Sequence, residues 1–264
     1  MASSLPRRAY RRLRLSLPQP WSALLGAVSY SPKLLAGDAE TRRELVEERL
    51  IERLLADGQP LEGIGAGLSE RVVEVPWAMR AVARDPAARI LDAGTAFAPM
   101  VYKRLLVRLP QDVELVDLAD AELPGLRSHI ADLRSLPLET KSFDAALCIS
   151  TLEHVGMDNA QYGVASGGRG DVTALAELGR VARRVIVTVP GGADADMGWQ
   201  NQYSPATLRR IAAEAGLSVA RLEAFAHEAG AGWSPVSEDG VTAREYGAGS
   251  VKAAAVLCAE LTSA

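Results

Sequence analysis

The stretch that most constrains this chain is Arg89-Ile90-Leu91-Asp92-Ala93-Gly94-Thr95, a short apolar run that ends on an acid and a glycine and leads into a helical pattern. Apolar runs of that length flanked by a turn residue read as a strand, a tight turn and a helix. Two further apolar runs follow. Val113 to Val116 ends at Asp117, and Phe143 to Ile149 leads into Ser150-Thr151-Leu152-Glu153-His154-Val155-Gly156. Strands are expected at 89–93, 113–117, 127–131, 143–150, 184–190, 217–226 and 250–262, with helices at 98–109, 171–182 and 204–215. Alternation of strand and helix calls for a mostly parallel sheet with helices on both faces. Ser204, Pro205 and Gly216 bound the last helix as cap, first position and stop.

Upstream, Leu45, Leu50, Ile51, Leu54 and Leu55 recur at helical spacing from Asp38, the expected cap, to Ala56, and Gly58 and Pro60 stop the pattern. The glycine-rich segment Leu61 to Gly67 reads as a flexible connection. Arg71 to Trp77 precedes a short helix that ends near Asp85-Pro86. Residues 1–20 hold Arg7, Arg8, Arg11, Arg12 and Arg14 among apolar residues. That composition leaves open a surface-packed arm, a peripheral contact with an anionic membrane or phosphorylated substrate, and a transit peptide. The division expected is a basic arm and helical extension over 1–70 and one domain over 71–264.

Length and charge narrow the function. With 264 residues, 48% of them hydrophobic, one full core can be buried. A net charge of -4 gives no basic field, so nucleic acid is not expected as a partner. Cys148 and Cys258 lie in apolar runs without metal spacing, which suits reduced core residues in a cytoplasmic protein. No apolar run reaches the roughly 18 to 20 residues of a membrane span. Monomer and homodimer both stay open.

The order of these segments resembles the class I S-adenosylmethionine (SAM) dependent methyltransferases, most closely small-molecule enzymes whose fourth strand runs into Leu-Glu-His-Val. The resemblance covers residues 71–262. Its most specific part is Asp132-Leu133-Arg134-Ser135-Leu136-Pro137 followed by Lys141-Ser142-Phe143-Asp144. It implies an α/β fold, a Rossmann-like seven-stranded sheet whose last strand runs antiparallel between two others, plus the N-terminal helical extension. It implies S-adenosyl-L-methionine as cofactor. Gly94 would let the backbone approach the cofactor, with Asp92 and Thr95 in the same loop, although Ala96 and Ala98 stand where the family has further glycines. Asp117, with Leu118 beside it, would take the ribose hydroxyls, and Asp132 and Leu133 the adenine. Glu74, in a Glu-x-Pro-Trp segment, would lie near the methionine end; read from base rates alone it is a surface or capping group, and Trp77 a core residue. Ser150 would line the pocket.

His154, at the carboxyl end of the fourth strand, stands where a base would sit, and it reads either as that base or as a residue that orients the cofactor. Glu153 reads as an anchor of the turn and Asp144 as structural. Asp158 lacks a second carboxylate at a matching position, so no metal is assigned. Tyr162 on the following loop and Trp199, Gln202 and Tyr203 on the next combine rings and amides, which suits a saccharide. Residues 230–249 read as a long connection that closes over the acceptor. The function expected is methyl transfer to a hydroxyl of a small molecule, a sugar or glycosylated metabolite. Nitrogen or carbon methylation and a non-catalytic binding protein are the rivals.

Overall fold

The computed structural model describes residues 39–86, 88–96, 98–158, 167, 169–247 and 251–263. Residues 1–20, Asp38 and Tyr162 therefore lie outside the described residues. In chain order the elements are α1 (Ala39–Asp57), α2 (Arg71–Val82), β1 (Arg89–Ala93), α3 (Met100–Arg108), β2 (Asp112–Asp117), β3 (Arg127–Ile130), β4 (Phe143–Ile149), a 3-10 turn (Leu152–His154), α4 (Asp171–Val181), β5 (Ala182–Pro190), the two-residue strands β6 (Ala195–Asp196) and β7 (Asn201–Gln202), α5 (Pro205–Glu214), β8 (Leu217–Glu228), β9 (Gly232–Val236), α6 (Glu238–Thr242) and β10 (Ala255–Ser263).

Eight strands form the main sheet in the order β3-β2-β1-β4-β5-β10-β8-β9. The pairs from β3 through β5 are parallel, and β10 runs antiparallel between β5 and β8. This is the Rossmann-like methyltransferase sheet with one strand more than expected. The extra strand is β9, inside the segment read as a long connection. It pairs antiparallel with β8 at the sheet edge, where Pro235 costs no ladder bond that a central strand would need. β9 also captures the segment read as a flexible connection: the Ile64 and Trp233 amides each donate to the other's carbonyl, at 3.2 and 2.7 Å.

The sheet has a core on each side because adjacent residues of a strand point to opposite faces. Ile90, Leu147 and Cys258 pack with Ile51, Leu54, Val72 and Tyr102 of α1, α2 and α3. Leu91, Cys148 and Leu257 pack with Leu175 and Leu178 of α4 and Leu208 and Ile211 of α5. Both cysteines are buried and unpaired. Asp144 is structural, its carboxylate taking the Arg89 amide at 2.8 Å and so fixing the start of β1 beside β4. At α5 the Ser204 hydroxyl accepts from the Thr207 amide at 3.1 Å, Pro205 opens the helix, and Gly216 follows it at φ +75°.

The helix expected after Trp77 instead begins at Arg71 and carries Pro76 inside it. Proline removes one backbone donor there. The loss is offset by burial, since Val72, Val73, Val75, Trp77 and Ala78 are all enclosed. No helix among the described residues is long and apolar enough to cross a membrane.

Candidate active site

The carboxyl ends of β1, β2, β4 and β5 converge on one edge of the sheet, where the strand order reverses between β1 and β4 and a cleft opens. Gly94 forms its inner turn. Its φ is +94°, and a Cβ built on it would lie 2.1 Å from the Thr151 Oγ1. Only glycine fits, on conformation and on space. Beneath the turn Asp92 is 1% exposed and accepts from the hydroxyls of Thr95 and Tyr102. Burial raises its pKa to about 6 against those two bonds. The neighbouring Lys103, wholly buried, donates to the Ala96 carbonyl at 2.6 Å. Asp92 and Thr95 thus hold the loop from below and do not line the cleft wall.

Asp117 ends β2 and faces the cleft, with one oxygen accepting the Ala96 amide at 2.8 Å and the other the Leu118 amide at 2.7 Å. A carboxylate has about four lone-pair sites, so two stay open for a diol. Leu118 is 49% exposed beside it, an apolar side chain on the lip of a polar cleft. Asp132 lies further along the wall. Arg134 grips it through its amide at 2.8 Å and its guanidinium at 2.7 to 3.1 Å, and that pairing draws the Asp132 pKa down. Leu133 lines the cleft between them.

At the opposite end stand Arg71, Val75, Ile149, Ser150 and His154. Ser150 has the left-handed φ of +42°, rare for a side chain that is not glycine. Its hydroxyl donates to the Glu74 carboxylate at 2.9 and 3.1 Å, and the Thr188 hydroxyl donates to the same group at 2.9 Å. Arg71 completes the shell of Glu74 at 2.8 Å. The surface or capping reading of Glu74 is therefore wrong. It is fully buried, its pKa raised by burial, and it braces Ser150 and Arg71 without facing the cleft itself.

His154 closes this end. Its Nδ1 lies 3.0 Å from the Trp199 carbonyl, and its ring stacks on the Trp199 indole at 5.5 Å between centroids. A carbonyl only accepts, so Nδ1 carries the proton and Nε2 the lone pair. Burial lowers the imidazole pKa, which leaves it neutral at pH 7. Trp199 is 39% exposed and meets Tyr246 edge-on at 6.0 Å.

A family model described as a methyltransferase domain matches residues 93–166, the stretch that supplies Gly94, Asp117, Asp132 and His154. That stretch carries a methyltransferase domain. A comparison with curated proteins returned no match. Among solved structures, the chain is similar to a Burkholderia thailandensis 1,6-didemethyltoxoflavin-N1-methyltransferase bound to 1,6-didemethyltoxoflavin and S-adenosylhomocysteine, at 15% identity, 94% of this chain, 91% of that one and a TM-score of 0.46. It is similar to a TehB-like SAM-dependent methyltransferase from Corynebacterium glutamicum at 20% identity, 85% and 100% coverage and 0.43. A SAM-dependent methyltransferase from Aquifex aeolicus gives 15%, 73%, 93% and 0.42. Scores at this level say nothing of the acceptor.

SAM is the cofactor of this methyltransferase, and the cleft suits it chemically. A turn without a side chain, an acid with open lone pairs at the end of β2 and two leucines that offer apolar surface lie along one wall. On the acceptor side two expectations need correction. Tyr203 is wholly buried with its hydroxyl 3.2 Å from Asp171, and Gln202, 4% exposed, donates to the Ala193 and Arg244 carbonyls at 2.6 and 3.1 Å. Both close their own loop and neither reaches the cleft; Trp199 does remain beside His154. The sequence reading missed Arg71, Tyr102 and Arg134 as cleft residues. Arg71 gave no local signal, because its place in the first turn of α2 emerges only from the structure.

Proposed function

We propose that this methyltransferase methylates a hydroxyl of a small molecule, with His154 as the base, and that the acceptor is a sugar or glycosylated metabolite. The observation that carries the reading is the bond from Nδ1 to the Trp199 carbonyl, which turns the lone pair of Nε2 toward proton acceptance in a cleft residue that burial keeps neutral. SAM, when bound, supplies the methyl group as an electrophile with a good leaving group. The residues around it then have four tasks. Asp117, Leu118, Asp132 and Leu133 hold the nucleoside, Gly94 allows close approach, and Arg71 offers the methionine carboxylate a cation. His154 takes the hydroxyl proton as the oxygen is methylated, and later returns it to solvent.

A second cleft supports a polar acceptor. It shares Arg71, Ala98 and Pro99 with the first and continues between α1 and the starts of α2 and α3, past Arg43, Glu44, Glu47, Glu70 and Lys252. In this reading α1, part of the extension over 1–70, walls the acceptor's route, and the exposed Trp199 ring offers an apolar face for a sugar to stack on.

Methyl-labelled SAM incubated with a panel of saccharides, phenols and amines tests the proposal. The expected product is an O-methyl sugar, and His154→Asn abolishes its formation while S-adenosylhomocysteine still binds. Transfer to nitrogen alone, or transfer that survives the substitution, removes the base from the scheme.

A further inference from the structure

Glu153 precedes His154 in the 3-10 turn, and the two differ sharply in exposure: 30% of the His154 side chain is accessible, while Glu153 is 1% exposed. One carboxyl oxygen, Oε1, lies 3.9 Å from the His154 Nε2. The other, Oε2, is buried with no hydrogen-bond partner among the described residues. A buried acceptor without a donor is costly, and such groups in folded proteins call for an explanation beyond anchoring. A leucine would anchor the turn without that cost.

The groups around Glu153 sharpen the point. Arg71 and Glu74 face it from α2 and Glu70 from the residue before that helix, Cys148 from the end of β4, Tyr203 from just after β7 and Tyr246 from the loop after α6. Arg71 is the one cation among them and is already bound to Glu74 at 2.8 Å. Burial, with Glu74 adding to it, pushes the Glu153 pKa up to about 8. Nearby His154 is neutral where Glu153 is still an acid.

Resting on the reading of His154 as the base, we propose that Glu153 is its positioning residue: as a carboxylate it steadies the imidazolium formed when Nε2 accepts the hydroxyl proton, and as an acid it does not. No bond to carbon involves Glu153. The acceptor O–H bond breaks, its electron pair staying on oxygen and its proton passing to Nε2. Glu153 adds one negative charge 3.9 Å from the nitrogen that takes the proton. The base is therefore stronger on the alkaline side of the Glu153 titration than on the acid side.

The three histidines of the chain allow a direct test. Imidazole-labelled protein, saturated with S-adenosylhomocysteine, is titrated by NMR from about pH 5 to about pH 9.5, a range that brackets both groups. His154→Asn assigns the signal. In the unsubstituted protein the His154 resonance should pass through two inflections, its own at the acid end and a second where Glu153 ionises. Glu153→Gln should keep the first and lose the second, and Glu153→Asp should move the second without deleting it. A single inflection in the unsubstituted protein, or a second one that persists in Glu153→Gln, overturns the proposal. The base reading fails by a different signal: ring nitrogen shifts that place the neutral proton on Nε2 would refute it whatever the number of inflections. If Glu153→Gln does not fold, the unsubstituted protein and Glu153→Asp still decide.

Discussion

Replacing Gly94 with alanine perturbs the site at its tightest point. The backbone there has φ +94°, and the new Cβ would meet the Oγ1, Cγ2 and Cβ of Thr151 at 2.1, 2.5 and 2.7 Å. Thr151 cannot simply swing away, because its hydroxyl donates to the Ile149 carbonyl at 3.0 Å and its backbone opens the 3-10 turn that carries His154. A left-handed alanine costs about 1–2 kcal/mol. Overpacking adds about 1–3 kcal/mol. The sum, about 2–5 kcal/mol, corresponds to a fall in melting temperature of roughly 5–15 °C for a chain of this size. Differential scanning fluorimetry reads the first effect, and calorimetry with S-adenosylhomocysteine should show binding weakened at least about tenfold, which is about 1.4 kcal/mol. Gly94→Ala combined with Thr151→Gly removes the clash and keeps the backbone strain, so it should recover roughly half of the lost stability. A single variant that melts within about 1 °C of the unsubstituted protein and binds the nucleoside equally well would show that the turn is not built as described.

Asp117→Asn should leave the fold intact and weaken S-adenosylhomocysteine by roughly 10- to 100-fold, the loss of charge-assisted bonds worth about 1.5–3 kcal/mol; unchanged affinity by calorimetry would remove the ribose from this position. The lowered pKa of His154 predicts a transfer rate that is flat above about pH 6.5 until Glu153 begins to ionise and that falls on the acid side, because protonation removes the lone pair; a rate that rises on acidification would rule out the base. Asp92 has a folded pKa of about 6, above its ordinary 3.8, so the folded state binds protons that the unfolded state has released. Its contribution is full below about pH 3.8 and is lost as pH rises through 6, with a slope of up to about 1.4 kcal/mol per pH unit. Urea unfolding at both ends of that window should show the slope reduced in Asp92→Asn, and equal slopes would contradict the buried carboxyl.

What the sequence made legible was whatever depends on neighbours along the chain. The runs at Ile90, Val113, Phe143 and Val185 are strands because their residues are apolar and short-range punctuation bounds them, and Ser204, Pro205 and Gly216 delimit α5 by local bonds. Glu74 was illegible for the opposite reason. Its burial is stabilised by Ser150 and Thr188, 76 and 114 residues away, and no local pattern announces them. Gln202 and Tyr203 looked like sugar ligands because polar loops and binding loops share a composition; their partners Ala193, Arg244 and Asp171 decide otherwise. β9 hid behind Pro235 and Gly232, which signal a loop until an edge position is known to be open.

The placing of β10 has a consequence for synthesis. An interior place in the sheet is filled by the strand that leaves the ribosome after every other strand of that sheet, so β5 and β8 must wait as open edges until β10 has emerged. Nascent chains stalled before Ala255 would expose two long apolar ladders, and chaperone demand during translation should fall only once β10 has emerged.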